Sequence, residues 1–187
     1  MFPQLSTPRL LLTEIELADA DEVLGLYSSD RVVEFYDLHP FGSVAQADDL
    51  IRRMQQRFAD KAGIRWAIRL REEGRLIGTC GFNSWGNRRA SVGYDLKESC
   101  WGRGIMSEAL RAVIQCGFQD SLPCGILNRI EAYTIPGNDR SENLLTRHGF
   151  QNEGLLRQYA WFKESYHDMN CFALLKSEHA GPSEGVS

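Results

Sequence analysis

The deciding stretch of this chain is Ser91-Val-Gly-Tyr-Asp-Leu-Lys-Glu-Ser-Cys-Trp-Gly-Arg-Gly-Ile-Met-Ser-Glu-Ala-Leu110. A strand-like run ends at Leu96, a short loop carries Gly102 and Gly104, and an amphipathic helix follows at once. The first turn of a helix has free backbone N–H groups and partial positive charge. The loop therefore predicts a binding site for a phosphorylated ligand.

Two common nucleotide sites fit this loop poorly. A dinucleotide fingerprint would have a third glycine at Ser107, a first glycine close to the strand end, and an acidic residue closing the next strand near Thr134. A P-loop is excluded because no Gly-Lys-Ser/Thr occurs in the chain. A glycine loop that serves only the turn remains an alternative at this point.

Length and composition indicate one ordinary globular domain. The 187 residues are 43% apolar and 25% charged, with a formal net charge of -4, which argues against a nucleic-acid partner. The five cysteines include no Cys-x-x-Cys pair, which favours free thiols and predicts no metal site. Since neither a signal peptide nor a membrane span is visible, we expect a cytoplasmic protein without a membrane partner.

Hydrophobic periodicity and turn residues predict the element order β-α-α-β-β-β-α-β-α-β-β. The predicted strands cover 10–15, 65–70, 76–82, 91–96, 128–134, 150–160 and 166–175, with turns at 71–74 and 83–87. The predicted helices run from 19 or 21 to 27, over 45–60 and 104–119, and from 138 or 139 to 148. This order indicates an α/β fold whose mixed sheet is largely antiparallel, with one parallel pair across 91–134 and helices on its faces. We expect one domain over 1–176 and a flexible tail over 177–187.

Several ordered motifs carry a family resemblance that spans about residues 6–176. Trp101-Gly-Arg-Gly-Ile-Met-Ser-Glu-Ala-Leu110 resembles the acyl-coenzyme-A pyrophosphate loop of the GNAT N-acetyltransferase superfamily. The blocks that resemble its RimJ/RimL-like branch, which acts on ribosomal proteins, are Thr7-Pro-Arg-Leu-Leu-Leu12, Asn128-Arg-Ile-Glu-Ala-Tyr133, Asn138-Asp-Arg-Ser141 and His148-Gly-Phe150. The resemblance implies a GNAT-like fold in which the strand at 91–96 is splayed from its parallel neighbour.

The resemblance also implies residues that contact the acyl donor. The pyrophosphate would be held by the loop residues Trp101, Gly102, Arg103, Gly104, Ile105, Met106 and Ser107. Backbone groups at Tyr94, Asp95 and Leu96 would pair with the pantetheine arm inside the splay, and Asn138 would hydrogen-bond the same arm. Ser141 would lie near the thioester sulfur. Since a large side chain at Met106 must avoid the phosphates, we expect it to point away from them.

The candidate catalytic residues are Glu131 and Ser141. Glu131 lies mid-strand between Ile130 and Ala132, where a carboxylate is unexpected, and is a candidate general base acting through water. It could instead be a structural carboxylate paired with an arginine, or a solvent-facing residue, and Ser141 could be only a first-turn helix residue. Many family members carry a tyrosine general acid where this chain has Leu145.

The sequence thus predicts an acetyl-CoA-dependent N-acetyltransferase without a metal, with a protein N-terminal α-amine as the expected acceptor. A small-molecule amine acceptor and a non-catalytic acyl-CoA-binding module are the alternatives. Trp85, Tyr159 and Trp161 could line the acceptor pocket or pack in the core. A homodimer stays open, because nothing in the sequence decides the oligomeric state.

Overall fold

The structure is a computed structural model that describes residues 1–119 and 122–179. The helices are α1 (Ala20–Tyr27), α2 (Asp30–Val33), α3 (Val44–Ala59), α4 (Ile105–Phe118) and α5 (Asp139–Arg147). The strands are β1 (Leu5–Ser6), β2 (Leu10–Thr13), β3 (Ile64–Leu70), β4 (Leu76–Gly86), β5 (Arg89–Leu96), β6 (Arg129–Thr134), β7 (Gln151–Phe162) and β8 (Ser165–Leu175). Short 3-10 helices precede α1 at Leu17–Asp19 and follow β5 at Glu98–Cys100.

The strands form one mixed sheet in the order β1-β2-β3-β4-β5-β6-β8-β7. Neighbouring strands are antiparallel except β5 and β6, which are parallel. Within β3, Trp66 packs in the apolar cluster that contains α4 and α5, whereas Ala67 packs with α1 and α3. Because consecutive strand residues face opposite sides, helices cover both faces of the sheet, as the sequence predicted.

Local sequence signals explain why the main helices begin where they do. Ser43 is the N-cap of α3 and forms a capping box with Gln46, which satisfies backbone N–H groups of the first turn. Asn138 is the N-cap of α5, and its side-chain oxygen accepts from the backbone N–H of Ser141. Both helices therefore begin within one residue of their predicted positions.

The predicted turn over 83–87 is wrong. Strand β4 continues to Gly86, and the turn is made by Asn87 and Arg88, which both have left-handed backbone angles (φ 52° and 59°). The polar run misled the prediction because the β4–β5 register shifts between Phe82 and Ser84 and takes Asn83 out of the regular ladder. The side chain of Arg65 binds the freed Asn83, with Nη1 donating to Oδ1 at 3.0 Å.

Other differences are small. The first predicted strand ends at Thr13 rather than at residue 15, and the two-residue β1 and four-residue α2 were not predicted because such short elements carry no periodicity. Of the predicted tail, residues 177–179 continue the fold, since Glu178 and His179 donate backbone N–H groups to the carbonyl of Leu175. Residues 180–187 lie outside the described residues.

Candidate active site

The parallel strands β5 and β6 pair only at their beginnings. The register couples Arg89 with Arg129, Ala90 with Ile130 and Ser91 with Glu131. Both strands continue beyond this point, to Leu96 and Thr134, without further pairs between them. The sheet therefore contains an opening between the second half of β5 and the second half of β6, called the wedge below.

The glycine loop lies between β5 and α4. Gly102 and Gly104 both have left-handed backbone angles (φ 74° and 71°), which L side chains rarely adopt. At the start of α4, the first backbone N–H that donates within the helix is that of Glu108, which donates to the carbonyl of Gly104. The backbone N–H groups before it therefore have no partner in the helix. A Cβ at Gly102 would meet nothing within 4 Å, so the space above the loop is open.

The glycine loop is held from the N-terminal strand. The carboxylate of Glu108, in the first turn of α4, accepts from Thr7 Oγ1 at 2.6 Å and from Arg9 Nε at 2.6 Å. Arg9 Nη1 also donates to the carbonyl of Arg103 at 3.0 Å. Partial burial acts against ionisation, but the hydrogen bonds from Thr7 and Arg9 outweigh it and lower the pKa of Glu108. Sequence reasoning missed this support, because it joins residues about 100 positions apart.

Trp101 fills the outer side of the loop. Its Nε1 donates to the carbonyl of Leu96 at 2.8 Å, and the guanidinium carbons of Arg31 and Arg140 lie 5.1 and 4.4 Å from the indole centroid. Met106 is partly buried and packs against the apolar cluster under α4, as its predicted orientation away from the phosphate site requires. These contacts fix the loop between β5 and the first turn of α5.

Ser107 contacts the end of α5 through its side chain. Its Oγ lies 2.9 Å from Nε2 of His148, the C-cap residue of α5. Burial first, and then the positive charges of Arg111 and Arg147, lower the pKa of His148. The imidazole therefore favours its neutral form, which can exchange a hydrogen bond with the Ser107 hydroxyl.

The wedge is bordered by hydroxyl groups from both sides. Ser141 Oγ donates to the hydroxyl of Tyr94 at 2.9 Å, so the ring of Tyr94 reaches from β5 to the first turn of α5. The hydroxyl of Tyr36, between α2 and α3, donates to the carbonyl of Tyr94. Leu145 is fully buried in the core, so this position brings no hydroxyl group to the wedge.

Asp95 belongs to a buried polar cluster on the other face of β5. Its carboxylate accepts from Arg65 Nη2 at 2.6 Å and from the hydroxyl of Tyr27 at 2.8 Å, and it also bonds Thr79. Burial opposes the charge of Arg65, but Asp95 together with the neighbouring Tyr27 and Tyr36 outweighs this effect and raises the pKa of the guanidinium. Since these bonds occupy the carboxylate, only backbone groups of Asp95 remain for a ligand.

The sequence held a signal for this cluster. Arg65 lies between Ile64 and Trp66, and Asp95 lies between Tyr94 and Leu96, so each charge is flanked by large apolar or aromatic residues. Gly93 completes the pattern, because a Cβ there would lie 2.6 Å from Asn83 Nδ2 and 2.9 Å from Arg65 Nη1. The cluster thus accounts for the small residue in the middle of β5.

Glu131 lies where the wedge begins, and its carboxylate already has two partners. Arg129 Nε donates to it at 2.7 Å and the hydroxyl of Tyr133 at 3.0 Å. Arg129 also forms an ion pair with Glu153 at the surface. Glu131 is therefore paired with an arginine, as the structural alternative predicts. The same residue also borders an open cavity.

The cavity beside Glu131 has a volume of about 400 Å³. Its lining residues are Ser84, Trp85, Gly86, Asn87, Arg89, Ala90, Ser91, Glu131, Tyr133 and Tyr159. Two of the three predicted aromatic residues, Trp85 and Tyr159, thus line it, whereas Trp161 is 60% exposed and packs edge-on against Tyr166. None of the three is fully buried, although Trp85 packs against the apolar cluster that contains α4.

Two neighbouring elements shape the rim of this cavity. The ring of Tyr159 stacks on Tyr133 with centroids 5.4 Å apart, where the β7–β8 register shifts between Leu156 and Ala160. At the tip of this hairpin, Lys163 Nζ donates to the carbonyl of Val33 in α2 at 2.8 Å. The tip of the β7–β8 hairpin is therefore tied to α2.

Within the described residues, 1–119 and 122–179, no group of three or more His, Cys, Asp or Glu side chains is arranged to hold a metal ion. In the same part of the chain, no helix is long and apolar enough to cross a membrane.

Comparison with known proteins gives concordant matches. Residues 9–151 match the family described as acetyltransferase (GNAT) domain. An uncharacterized N-acetyltransferase, p20 of Bacillus licheniformis, is 42% identical over 179 residues, covering 95% of this chain and 98% of that protein. The ribosomal-protein-serine acetyltransferase of Escherichia coli is 36% identical over 104 residues, covering 54% of this chain and 56% of the enzyme. The structure of RimL, a ribosomal L7/L12 α-N-protein acetyltransferase in complex with coenzyme A, has the same fold, with a TM-score of 0.80, 21% identity, and coverage of 92% of this chain and 98% of RimL.

Proposed function

The chain belongs to the GNAT acetyltransferase family, and from this premise we propose that it transfers an acetyl group from acetyl-CoA to the N-terminal α-amine of a protein. One observation carries the proposal. The wedge between β5 and β6 opens toward the glycine loop at one end and begins, at Ser91 and Glu131, beside the 400 Å³ cavity at the other. A ligand with a phosphate end and a thioester end fits this arrangement, with the acceptor amine in the cavity.

The glycine loop suits the pyrophosphate of coenzyme A. The N–H groups at the start of α4 have no partner in the helix, the space beside Gly102 is open, and the positive end of the helix adds to the attraction for an anion. The residues proposed to hold it are Trp101, Gly102, Arg103, Gly104, Ile105, Met106 and Ser107. Of these, Met106 would contribute its backbone alone, because its side chain packs against the core.

The wedge suits the pantetheine arm. Backbone groups from Tyr94 to Leu96 are proposed to pair with its amides, and the side chain of Asn138 to hydrogen-bond it from α5. The carbonyls of Tyr94 and Leu96 already accept bonds from Tyr36 and Trp101, so the free N–H groups are the better partners for the arm.

Acetyl transfer to an α-amine needs little help from a general acid or a general base. Such an amine has a pKa of about 7.7–8.0, so a large fraction is neutral and nucleophilic near pH 7.5, whereas a lysine amine with a pKa of about 10.4 is mostly charged. Placing the neutral amine against the thioester can itself lower the barrier by roughly 7–11 kcal/mol. The wedge and the cavity are therefore proposed to act chiefly by positioning.

Glu131 is proposed as the general base. It borders the cavity at the point where the wedge begins, so a water molecule between its carboxylate and the amine could carry the proton away. Its ion pair with Arg129 holds the carboxylate in place. Ser141, which contacts Tyr94 of β5 from the first turn of α5, is proposed to face the sulfur of the thioester.

The acceptor is proposed to be a protein N-terminus because similar proteins named for ribosomal-protein acetylation include the enzyme of E. coli and RimL. An acceptor on the ribosome would also place this protein in the cytoplasm. A compact amine that fills the 400 Å³ cavity is the competing acceptor.

The test is an acceptor panel. Purified protein is mixed with acetyl-CoA and either short peptides with free N-termini, the same peptides with blocked N-termini, or small amines, and thiol release is followed. Thiol release only with peptides that have free N-termini supports the proposal. Thiol release only with small amines would mean that the acceptor is a small molecule rather than a protein N-terminus. Silence with every amine, together with a melting temperature that rises on adding coenzyme A, would indicate a binding module without catalysis.

A further inference from the structure

A tyrosine lies at the wedge, although it does not come from α5. Leu145 is fully buried, and helix α5 contains no tyrosine. Tyr94 belongs to the part of β5 beyond its last pair with β6, at Ser91 and Glu131, and so borders the wedge directly. The phenol thus reaches the wedge from the strand on its opposite side.

The hydroxyl of Tyr94 is coupled to Ser141. Ser141 Oγ lies 2.9 Å from the Tyr94 hydroxyl, and that hydroxyl lies 3.4 Å from the carbonyl oxygen of Ser141. Both hydroxyl hydrogens can rotate, so the chain of bonds can run from Tyr94 to Ser141 as readily as the reverse. Burial raises the pKa of Tyr94, which keeps the phenol protonated as a donor throughout the working pH range.

Both hydroxyl groups are held in place before any ligand arrives. The backbone carbonyl of Tyr94 accepts from the hydroxyl of Tyr36, and the backbone N–H of Ser141 donates to Asn138 Oδ1 at 3.3 Å. Donors that are oriented in advance stabilise developing charge without reorganising during the reaction. The backbone positions that carry the two hydroxyl groups are therefore fixed, while the hydroxyl hydrogens can still turn toward a ligand in the wedge.

We infer that Tyr94 is a positioning residue that donates to Ser141, so that the Ser141 hydroxyl donates in turn to the sulfur leaving the acetyl group. This rests on the proposed function. As the N–C bond forms, the C–S bond breaks and its electron pair goes to sulfur, where negative charge develops. The amine proton leaves through Glu131 or water, and the thiolate, whose thiol has a pKa of about 8.5, is protonated by solvent. Tyr94 keeps its own proton.

Two coupled hydroxyls are a better donor than one. A hydroxyl that accepts a hydrogen bond is polarised and donates more strongly, and this cooperative gain is lost when the first donor is removed. Removing Tyr94 should therefore cost nearly as much as removing Ser141. Removing both should cost little more than removing one.

The test compares Tyr94→Phe, Ser141→Ala, the double variant and Ser141→Thr with the acceptor found by the panel. We expect each of the first two to lower kcat about 10- to 100-fold, with coenzyme A affinity within about threefold, and the double variant to lie close to the single variants. Ser141→Thr keeps the hydroxyl and should recover most of kcat. Tyr166→Phe, which removes a phenol 62% exposed on β8, is the matched control and should leave kcat unchanged.

Three results would overturn the inference. These are an unchanged kcat in Tyr94→Phe, losses that multiply in the double variant, or a loss confined to coenzyme A affinity and melting temperature. A wild-type protein that binds coenzyme A but acetylates no amine would refute the proposed function and this inference together. Wild-type activity that survives Tyr94→Phe would refute this inference alone.

Discussion

The two ends of β5 are built differently. At its C-terminal end, the glycine loop that is proposed to bind coenzyme A is one continuous segment, supported by Thr7 and Arg9. At its N-terminal end, the cavity is assembled from β4, β5, β6 and β7, with a further tie from Lys163 to α2. A site formed by one continuous segment can be predicted from the sequence. A site formed by four strands can be located only when the register between the strands is known.

The largest expected effect concerns the buried polar cluster that contains Asp95 and Arg65. Asp95→Asn leaves the charge of Arg65 buried without its partner, and we expect unfolding to become easier by about 3–5 kcal/mol in chemical denaturation. Glu98→Gln is the control, because its ion pair with Arg31 is partly exposed and should contribute about 0–1 kcal/mol. Equal losses in the two variants would mean that the buried pair has no special role.

The second effect concerns the cavity end. Glu131→Gln should lower kcat about 100-fold, with little change in coenzyme A affinity, because it removes the proposed base and spares the loop. Glu153→Gln breaks the other ion pair of Arg129 and is the matched control. If both variants lose activity to the same extent, Glu131 acts through Arg129 as a structural carboxylate and the base must be sought elsewhere.

The third effect concerns the coenzyme A end. Gly104→Val places a β-branched residue at φ 71°, and the resulting strain of about 1–3 kcal/mol should weaken coenzyme A binding roughly 10- to 100-fold in calorimetric titration. Gly125→Val imposes the same strain at φ 72° in a loop after α4. It should lower stability without changing affinity. Unchanged affinity in Gly104→Val would refute this placement of the phosphates.

The smallest effect is a pH dependence at the same end. The folded state lowers the pKa of His148, so protonation favours unfolding. Neutral His148 contributes fully to the free energy of unfolding above the unfolded-state pKa of about 6.5. This contribution is lost as the pH falls through the lower pKa of the folded state. The melting temperature of the wild type should fall between pH 7.5 and 5 by more than that of His148→Gln. Parallel curves would show that the Ser107–His148 contact is insensitive to charge.

The same contrast explains how much of the molecule could be predicted. The sheet, its parallel pair and the limits of α3, α4 and α5 follow from periodicity and capping residues, which act over a few positions. The turn over 83–87 was mispredicted because a register shift at Asn83 is stabilised by Arg65 from another strand. Tyr94 and Ser141 are both named by the family resemblance, but their contact was beyond sequence reasoning because they lie 47 positions apart on different elements. Glu131 is conspicuous in the sequence because its carboxylate lies between Ile130 and Ala132, but its bond to Arg129 required the structure.

The short pairing of β5 with β6 has a consequence for the sheet as a whole. Three ladder positions join a half made of β1 to β5 to a half made of β6, β8 and β7, and past Ser91 the backbone of β5 faces a gap. A ligand whose amides lie in that gap would take the place of a missing strand. Substrate binding would then fill the gap beside β5 as an added strand does. Product release would leave the two halves of the sheet joined only by the three pairs that end at Ser91 and Glu131.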